Sequence, residues 1–338
     1  MRPSTESPTR TMHPTRIGAA GETGRVPVSH LGVIVETRYV YVDPVILAFV
    51  NTRNGDESTD VRVKDVTSRS FRLFLEEAPH LDGEHNEEEV SYVVMEAGTR
   101  VLEGGLAVEA GRHVTSAVHR GGQAFLGDRI DFAVPFNETP AVLTTLNTYE
   151  NGDFMSSLAT AVGTDGFEIS QEALETGVTA VKETIGWMAF STGTGMTTGG
   201  SPYLSSYDVD NGVTNGVGQV AYSIDLTSAG FAEKPDLVVG LDQDNGMDGA
   251  YARGAGTFTA TAQTIFAEED QQEDTERQHA SIPVAWVGFG HDTDLFEDPA
   301  AAFPARCRGD MEPCEFSHEC CSGECLGEGR CMASEASQ

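Results

Sequence analysis

An all-β chain of three tandem antiparallel β-sandwiches, followed by a small disulfide-rich segment, is the architecture the sequence predicts. Three observations predict it. One succession of strand and turn signals occurs three times; the strands inside it alternate with period two; and all six cysteines of the 338 residues crowd into positions 307–331.

The chain opens on a Ser/Thr/Pro/Gly-rich, basic stretch over residues 1–25. It has no apolar centre, so it reads as a disordered tail and is no signal peptide as written. Three units follow, placed at 26–115, 116–200 and 201–291. Each carries an alternating strand, a proline (Pro44, Pro140, Pro235), an apolar strand and an Asn-Gly pair at Asn54, Asn151 or Asn245. Next come a strand with an aromatic (Phe71, Phe167, Phe258), an acidic loop, and a closing strand holding Tyr92, Trp187 or Trp286. The Asn-Gly pairs lie 97 and 94 residues apart, which sets a unit of one small sandwich.

Within the first unit, "VRVKDV" (61–66) and "FRLFL" (71–75) alternate apolar and polar, as strands with one buried face do. The Asn-Gly pairs read as type I′ hairpin turns, since both residues tolerate positive φ. Only "SQEALETGVTAVKETIGW" (170–187) has a helical look, and its counterparts in the other units are acidic loops, so it is read as non-helical. Trp187 and Trp286 share a register across repeats and read as core anchors.

A linker at 292–306 leads to the cysteine segment, 307–331, and a tail at 332–338. So few apolar residues cannot build a core, and cross-links must replace one. Six cysteines allow 15 pairings. A zinc site is the competing reading, but the segment has no C-x2-C pair and one histidine, His318. Disulfides need an oxidising compartment, which places the chain outside the cell or on its surface. The missing leader then implies a processed or truncated form, a misplaced start, or another export route. Arg308-Gly309-Asp310 reads as a turn, with an adhesive role as the alternative.

Charge narrows function. With 53 acidic and 21 basic residues the net charge is −32, which repels nucleic acid and anionic membrane surfaces. No apolar window is long enough to span a bilayer. Such a surface keeps a protein soluble in salt and gives Ca²⁺ oxygen ligands to visit. H-E-x-x-H, G-x-S-x-G and G-x-x-x-x-G-K-[ST] are all missing, and no cysteine is left over as a nucleophile, so the chain reads as no enzyme.

Candidate ligand-binding residues are Asn54, Asp56, Asn151, Asp153, Asn245 and Asp248 around the Asn-Gly turns, and Glu77, His80, Asp82 and His85 in "EEAPHLDGEH". That second set fits a metal site, a sugar-contacting loop, or a turn around Asp82-Gly83 with exposed histidines. Asp242, Asp244 and Asp248 open like an EF-hand loop, but Met247 and Arg253 occupy its sixth and twelfth positions, leaving at most adventitious Ca²⁺. Asn137-Glu138-Thr139 is a glycosylation sequon with Pro140 behind it. Carboxylate runs such as Glu87, Glu88 and Glu89 read as solvated acidic loops.

Two resemblances follow. "PAVLTTLN" (140–147), "GFEI" (166–169) and "ETIGWMA" (183–189) resemble the H-type lectin family, with the second unit matching best. The resemblance implies six-stranded antiparallel sandwiches, assembly as trimers, and binding of sugars such as N-acetylgalactosamine at subunit edges. The cysteine spacing resembles the inhibitor cystine knots, which implies Cys307–Cys321, Cys314–Cys325 and Cys320–Cys331. The expected function is an extracellular carbohydrate-binding or adhesive protein with glycans or surface proteins as partners; the alternative is a structural protein of a surface layer, fibre or sheath.

Self-repulsion at −32 predicts a salt response. Raising NaCl from about 0.1 M to about 1 M shortens the Debye length from about 10 Å to about 3 Å, so the thermal midpoint should rise by several degrees. Differential scanning calorimetry across that series checks it; a flat or falling midpoint rejects it.

Overall fold

The computed structural model describes residues 19–174, 179–213, 221–242, 249–269, 279, 282–298, 325–326 and 330–331. Nearly all of them are strand or connecting turn, as expected. The first unit holds β1 (Ala19–Val28), β2 (Val33–Glu36), β3 (Pro44–Val50), β4 (Thr59–Lys64), β5 (Ser70–Glu77) and β6 (Glu88–Glu96). A short β7 (Gly98–Val101) leads to the second: β8 (Ala107–Thr115), β9 (Val118–Arg120), β10 (Asp128–Asp131), β11 (Ala141–Leu146), β12 (Met155–Thr160), β13 (Gly166–Ala173) and β14 (Glu183–Phe190). After β15 (Gly193–Met196) comes the third: β16 (Pro202–Val213), β17 (Tyr222–Asp225), β18 (Asp236–Leu241), β19 (Tyr251–Phe258), β20 (Ala262–Glu268) and β21 (Ile282–Phe289), closed by β22 (Asp294–Phe296).

One topology is written three times. Leaving aside β9, which pairs parallel with β13 in the second unit, the first, sixth and third strands of a unit make one sheet (β1-β6-β3, β8-β14-β11, β16-β21-β18), and the second, fifth and fourth make the other (β2-β5-β4, β10-β13-β12, β17-β20-β19). The short connector strands add a fourth member to each first sheet: β7 on β8, β15 on β16, and β22 back on β1. The ring of units therefore closes on itself. The strand β8, inside the first unit's expected span, pairs with β14 and belongs to the second sandwich. Likewise β1 begins at Ala19, inside the stretch expected to be a disordered tail.

The four-stranded sheets face inward and are buried on both faces. In β3, Ile46, Ala48 and Val50 join the first sandwich's own core, while Val45, Leu47 and Phe49 join a central core with Leu143, Met188 and Phe190 of the second unit and Val238, Val287 and Phe289 of the third. That is why β3, β14 and β21 are apolar without alternation. The outer sheets keep one solvated face, so β5 alternates half-buried and buried throughout. Each fully buried Val, Leu, Ile or Phe in these cores contributes about 1.5–3 kcal/mol.

Inward sheets leave an edge strand, β3, β11 or β18, at the shared axis, and its unpaired backbone groups need partners. The neighbouring unit supplies them as side chains. The Asn147 side chain accepts from the Ile46 N–H at 3.0 Å and donates to its carbonyl at 2.8 Å, and Thr145 Oγ1 accepts from the Ala48 N–H. At the next boundary Asn51 donates to the Leu237 carbonyl at 3.0 Å, and the Leu237 N–H donates to Ser91 Oγ. The aromatics of the closing strands also repeat: Tyr92 and Trp187 lie across Gly24 and Gly111, where a Cβ would sit 2.3 Å and 2.5 Å from the ring or its hydroxyl.

Two expectations change. The Asn-Gly pairs at Asn54 and Asn151 are not hairpin turns: β3 and β4, like β11 and β12, lie in different sheets, and neither asparagine adopts positive φ. In its described residues the segment 170–187 is non-helical as expected, running through strand β13, a connection and strand β14. Phe258 is not the partner of Phe71 and Phe167. Pairing with the second strand of each unit aligns those two with buried Gln263, which donates to the Asn51 carbonyl, and Phe258 lies one strand earlier, beyond a register shift. Of the cysteine segment, only the hairpin β23 (Cys325–Leu326) with β24 (Arg330–Cys331) is described. The expected Cys307–Cys321, Cys314–Cys325 and Cys320–Cys331 bonds and the Arg-Gly-Asp lie outside the described residues.

Asn147→Ala strips both partners from Ile46 and should cost about 1–3 kcal/mol. Urea unfolding of the purified chain measures this, and a change below about 0.5 kcal/mol would show that the edge is sealed in another way.

Candidate functional site

Two polar nodes lie at the unit boundaries, built from one repeated device. The closing strand of each of the first two units begins with a glutamate, four residues before its aromatic, and that glutamate is buried. Glu88 accepts from Thr52 Oγ1 and from the Asn54 and Gly55 amides; Glu183 accepts from Thr148 Oγ1 and from the Glu150 and Asn151 amides. Each carboxylate thus caps the loop that crosses between the two sheets. In the third unit Ile282 takes this place.

Each capped loop receives an arginine from the adjoining unit. Arg253, on β19, is fully buried and reaches Glu268 Oε2 at 2.7 Å, Glu88 Oε1 at 3.0 Å, and the Glu57 and Gly55 carbonyls. His85 completes this node, its Nδ1 2.8 Å from Glu77 and its Nε2 3.2 Å from Glu88. Burial pushes Glu88 up, but the hydrogen bonds from His85, Thr52 and the loop amides outweigh it and hold the carboxyl down at about 2. Arg62, at the equivalent place on β4, pairs with Glu76, donates to the Asp153 carbonyl, lies 4.0 Å from Glu183 and stacks over Tyr149 at 4.7 Å. The third boundary carries Leu158 at that register.

Near the axis a cavity of about 40 Å³ separates the units, lined among others by Asp60, Arg62, Ser156 and Tyr251. Asp60 is raised to about 6 by burial, which the Val61 amide, Ser156 and Arg62 only partly offset. Asp242 stands where Asn51 and Asn147 stand in the other units. Burial raises its carboxyl well above the usual range, with only the Tyr207 hydroxyl working the other way. A third cluster ties the ring shut: buried Asp236 accepts from Thr23 Oγ1, His291 Nδ1 and the Asp292 amide, each at 2.8 Å. That bond raises His291.

The expected site residues scatter. Asn54, Glu77 and His85 do come together, at the Arg253 node, but as buried or loop-capping groups. Asp56 is exposed and within 3.5 Å of Arg53; His80 is exposed; Asp82 caps its own turn through the Glu84 amide. Asn151 is buried, accepts from the Asp153 amide and donates to the Thr179 carbonyl, while Asp153 accepts from the Thr179 amide. Asp244, Asn245 and Asp248 lie outside the described residues, and Asp242 is buried.

Ligand atoms of Glu57, Glu77 and His85 approach within 4.8 Å of one another, as do those of Asp236, His291 and Asp292. At the first, Arg253 already supplies the cation. Glu88, Glu183, Arg62 and Arg253 were missed because an acidic run and isolated arginines look solvated. The usable signal was register: each arginine follows the asparagine of its unit's Asn-Gly pair by eight residues.

The second unit also has a surface cleft of about 300 Å³, walled by Ala107, Pro135, Phe136, Asn137, Glu138, Ser191 and Thr192. Asn137 and Glu138 are exposed on it, and Phe136 is buried beneath.

No family model matches the chain, and no solved structure matches it. Among curated proteins it is similar to halomucin of Haloquadratum walsbyi (strain DSM 16790 / HBSQ001), at 26% identity over 268 residues. The match covers 75% of this chain and 3% of that protein.

Two pH effects of opposite sign follow. Glu88 contributes stability above about pH 4.5 that is lost as pH falls toward 2, so Glu88→Gln should remove much of the acid-side slope. Asp60 is the reverse: its ionisation costs stability as pH rises from about 4 through 6, so Asp60→Asn should stabilise the chain at pH 7–8 by on the order of 2–3 kcal/mol. Urea midpoints from about pH 3 to 8 test both; destabilisation by Asp60→Asn at neutral pH would refute the second.

Proposed function

We propose that the chain is an extracellular or cell-surface carbohydrate-binding, adhesive module of H-type lectin-like units, acting by binding and not by catalysis. The cleft of the second unit carries this reading. It is concave, near the lower size limit of small-molecule sites, and sets polar Asn137, Glu138, Ser191 and Thr192 around an aromatic floor. It lies in the unit whose strands resemble the family most fully. The resemblance implies six-stranded antiparallel sandwiches assembled as trimers, and three mainly antiparallel two-sheet units within one chain support that reading. The likeness to a stretch of halomucin and the cysteine-dense segment support a place outside the cytosol.

A structural role in a surface layer, fibre or sheath is the second reading. It is favoured by the burial of Glu88, Glu183, His85 and Asn151, polar groups that the fold uses internally.

The test is a glycan array on the full chain, with and without Ca²⁺, repeated with the Asn137→Ala/Glu138→Gln variant. Binding that weakens more than tenfold in the variant is expected. Absence of binding to every glycan, with ordered self-assembly at high concentration, would decide for the structural role.

A further inference from the structure

Across β4 and β5 of the first unit, the outward residues pair in three rows: Asp60 with Glu76, Arg62 with Phe74, and Lys64 with Arg72. The first two rows run under the second unit, where Arg62 and Glu76 meet Tyr149. The third row emerges at the boundary. Lys64 and Arg72 are both partly exposed, and like charges directly opposite on neighbouring strands repel. Arg72 has Asp65 at 3.5 Å, a carboxylate that is mostly exposed. Among the described residues Lys64 has no carboxylate within ion-pair distance; its ammonium lies 4.5 Å over Phe74 and 5.2 Å over Tyr149. In a chain of net charge −32, two facing cations beside an edge-to-face aromatic pair 5.1 Å apart are a local reversal of the surface.

We propose that Lys64, Arg72, Phe74 and Tyr149 form a subsite for the acidic group of an anionic saccharide, separate from the second unit's cleft. The carboxylate or sulfate ester sits between Lys64 and Arg72 and relieves their repulsion. The half-buried rings of Phe74 and Tyr149 give the sugar ring an apolar surface beside that charge. A short acidic oligosaccharide suits the place better than a long polyanion, which the surrounding carboxylates would repel. The proposal rests on the reading of the chain as a glycan-binding protein, and names the chemical class of one ligand.

The experiment is calorimetric titration of the full chain, at fixed moderate salt, with heparin and alginate oligosaccharides and with neutral dextran and chitin oligosaccharides. Wild type is compared with Lys64→Gln/Arg72→Gln and with Asn137→Ala/Glu138→Gln, each first checked for an unchanged thermal midpoint. Expected is binding of the acidic probes that weakens more than tenfold in Lys64→Gln/Arg72→Gln only. Should that variant lose its fold, Lys64→Gln alone, which removes no ion pair, is used with the same criterion. Binding of neutral probes alone overturns the subsite and leaves the carbohydrate reading standing, whereas binding of none overturns both. Acidic binding untouched by the Lys64 and Arg72 changes overturns the subsite too.

Discussion

The structure depends on how three sheet edges are closed. An inward four-stranded sheet must end on some strand, and that strand's outer N–H and C=O groups face apolar surroundings where water cannot serve them. The chain answers with side chains from the next unit: Asn147 on Ile46, and Asn51 with Ser91 on Leu237. An amide side chain suits the task because it donates and accepts at once, as a strand backbone does. At the third boundary Asp242 stands at the equivalent position, and burial raises its carboxyl well above the usual range. The repeat is therefore geometric before it is chemical: the edge must be covered, and different residues cover it.

The same relation between fixed geometry and drifting chemistry decided what could be read beforehand. Alternation in β5 was visible because one face is wet, and the triple recurrence was visible because proline, aromatic and Asn-Gly landmarks keep their order. What failed were inferences from residue type without partners. Asn-Gly looked like a hairpin, yet the loop crosses between sheets and its amides are taken by a glutamate from the closing strand. Phe258 looked equivalent to Phe71, but a register shift moves it and leaves Gln263 in the core. Glu88 looked solvated among three glutamates, while one step along the strand decides burial on this lattice. Long-range partners such as Arg253 and Glu88, separated by 165 positions, leave no local trace.

Acidity in this chain has two unrelated origins. One population of carboxylates is exposed and gives the protein its charge. A second is interior: Glu22 accepts from the Arg38 and Tyr39 amides, Glu109 from the Ala133 amide, and Glu88 and Glu183 from the loops before them. These interior groups are worth more than surface pairs because their alternatives are unpaired amides in a dry place. The second unit's cleft and the cationic rim of the first lie apart from these interior groups.

The pairing of β22 with β1 reaches beyond closing the ring. Ala19 and Phe296 are register partners, so the polypeptide arrives at and departs from this body on adjacent strands, about 5 Å apart. Threaded on a longer filament, a module with that geometry hangs to one side like a bead on a short loop. It adds almost nothing to the filament's contour length and bears little of a pull along it, since tension would pass across one strand pair at its neck.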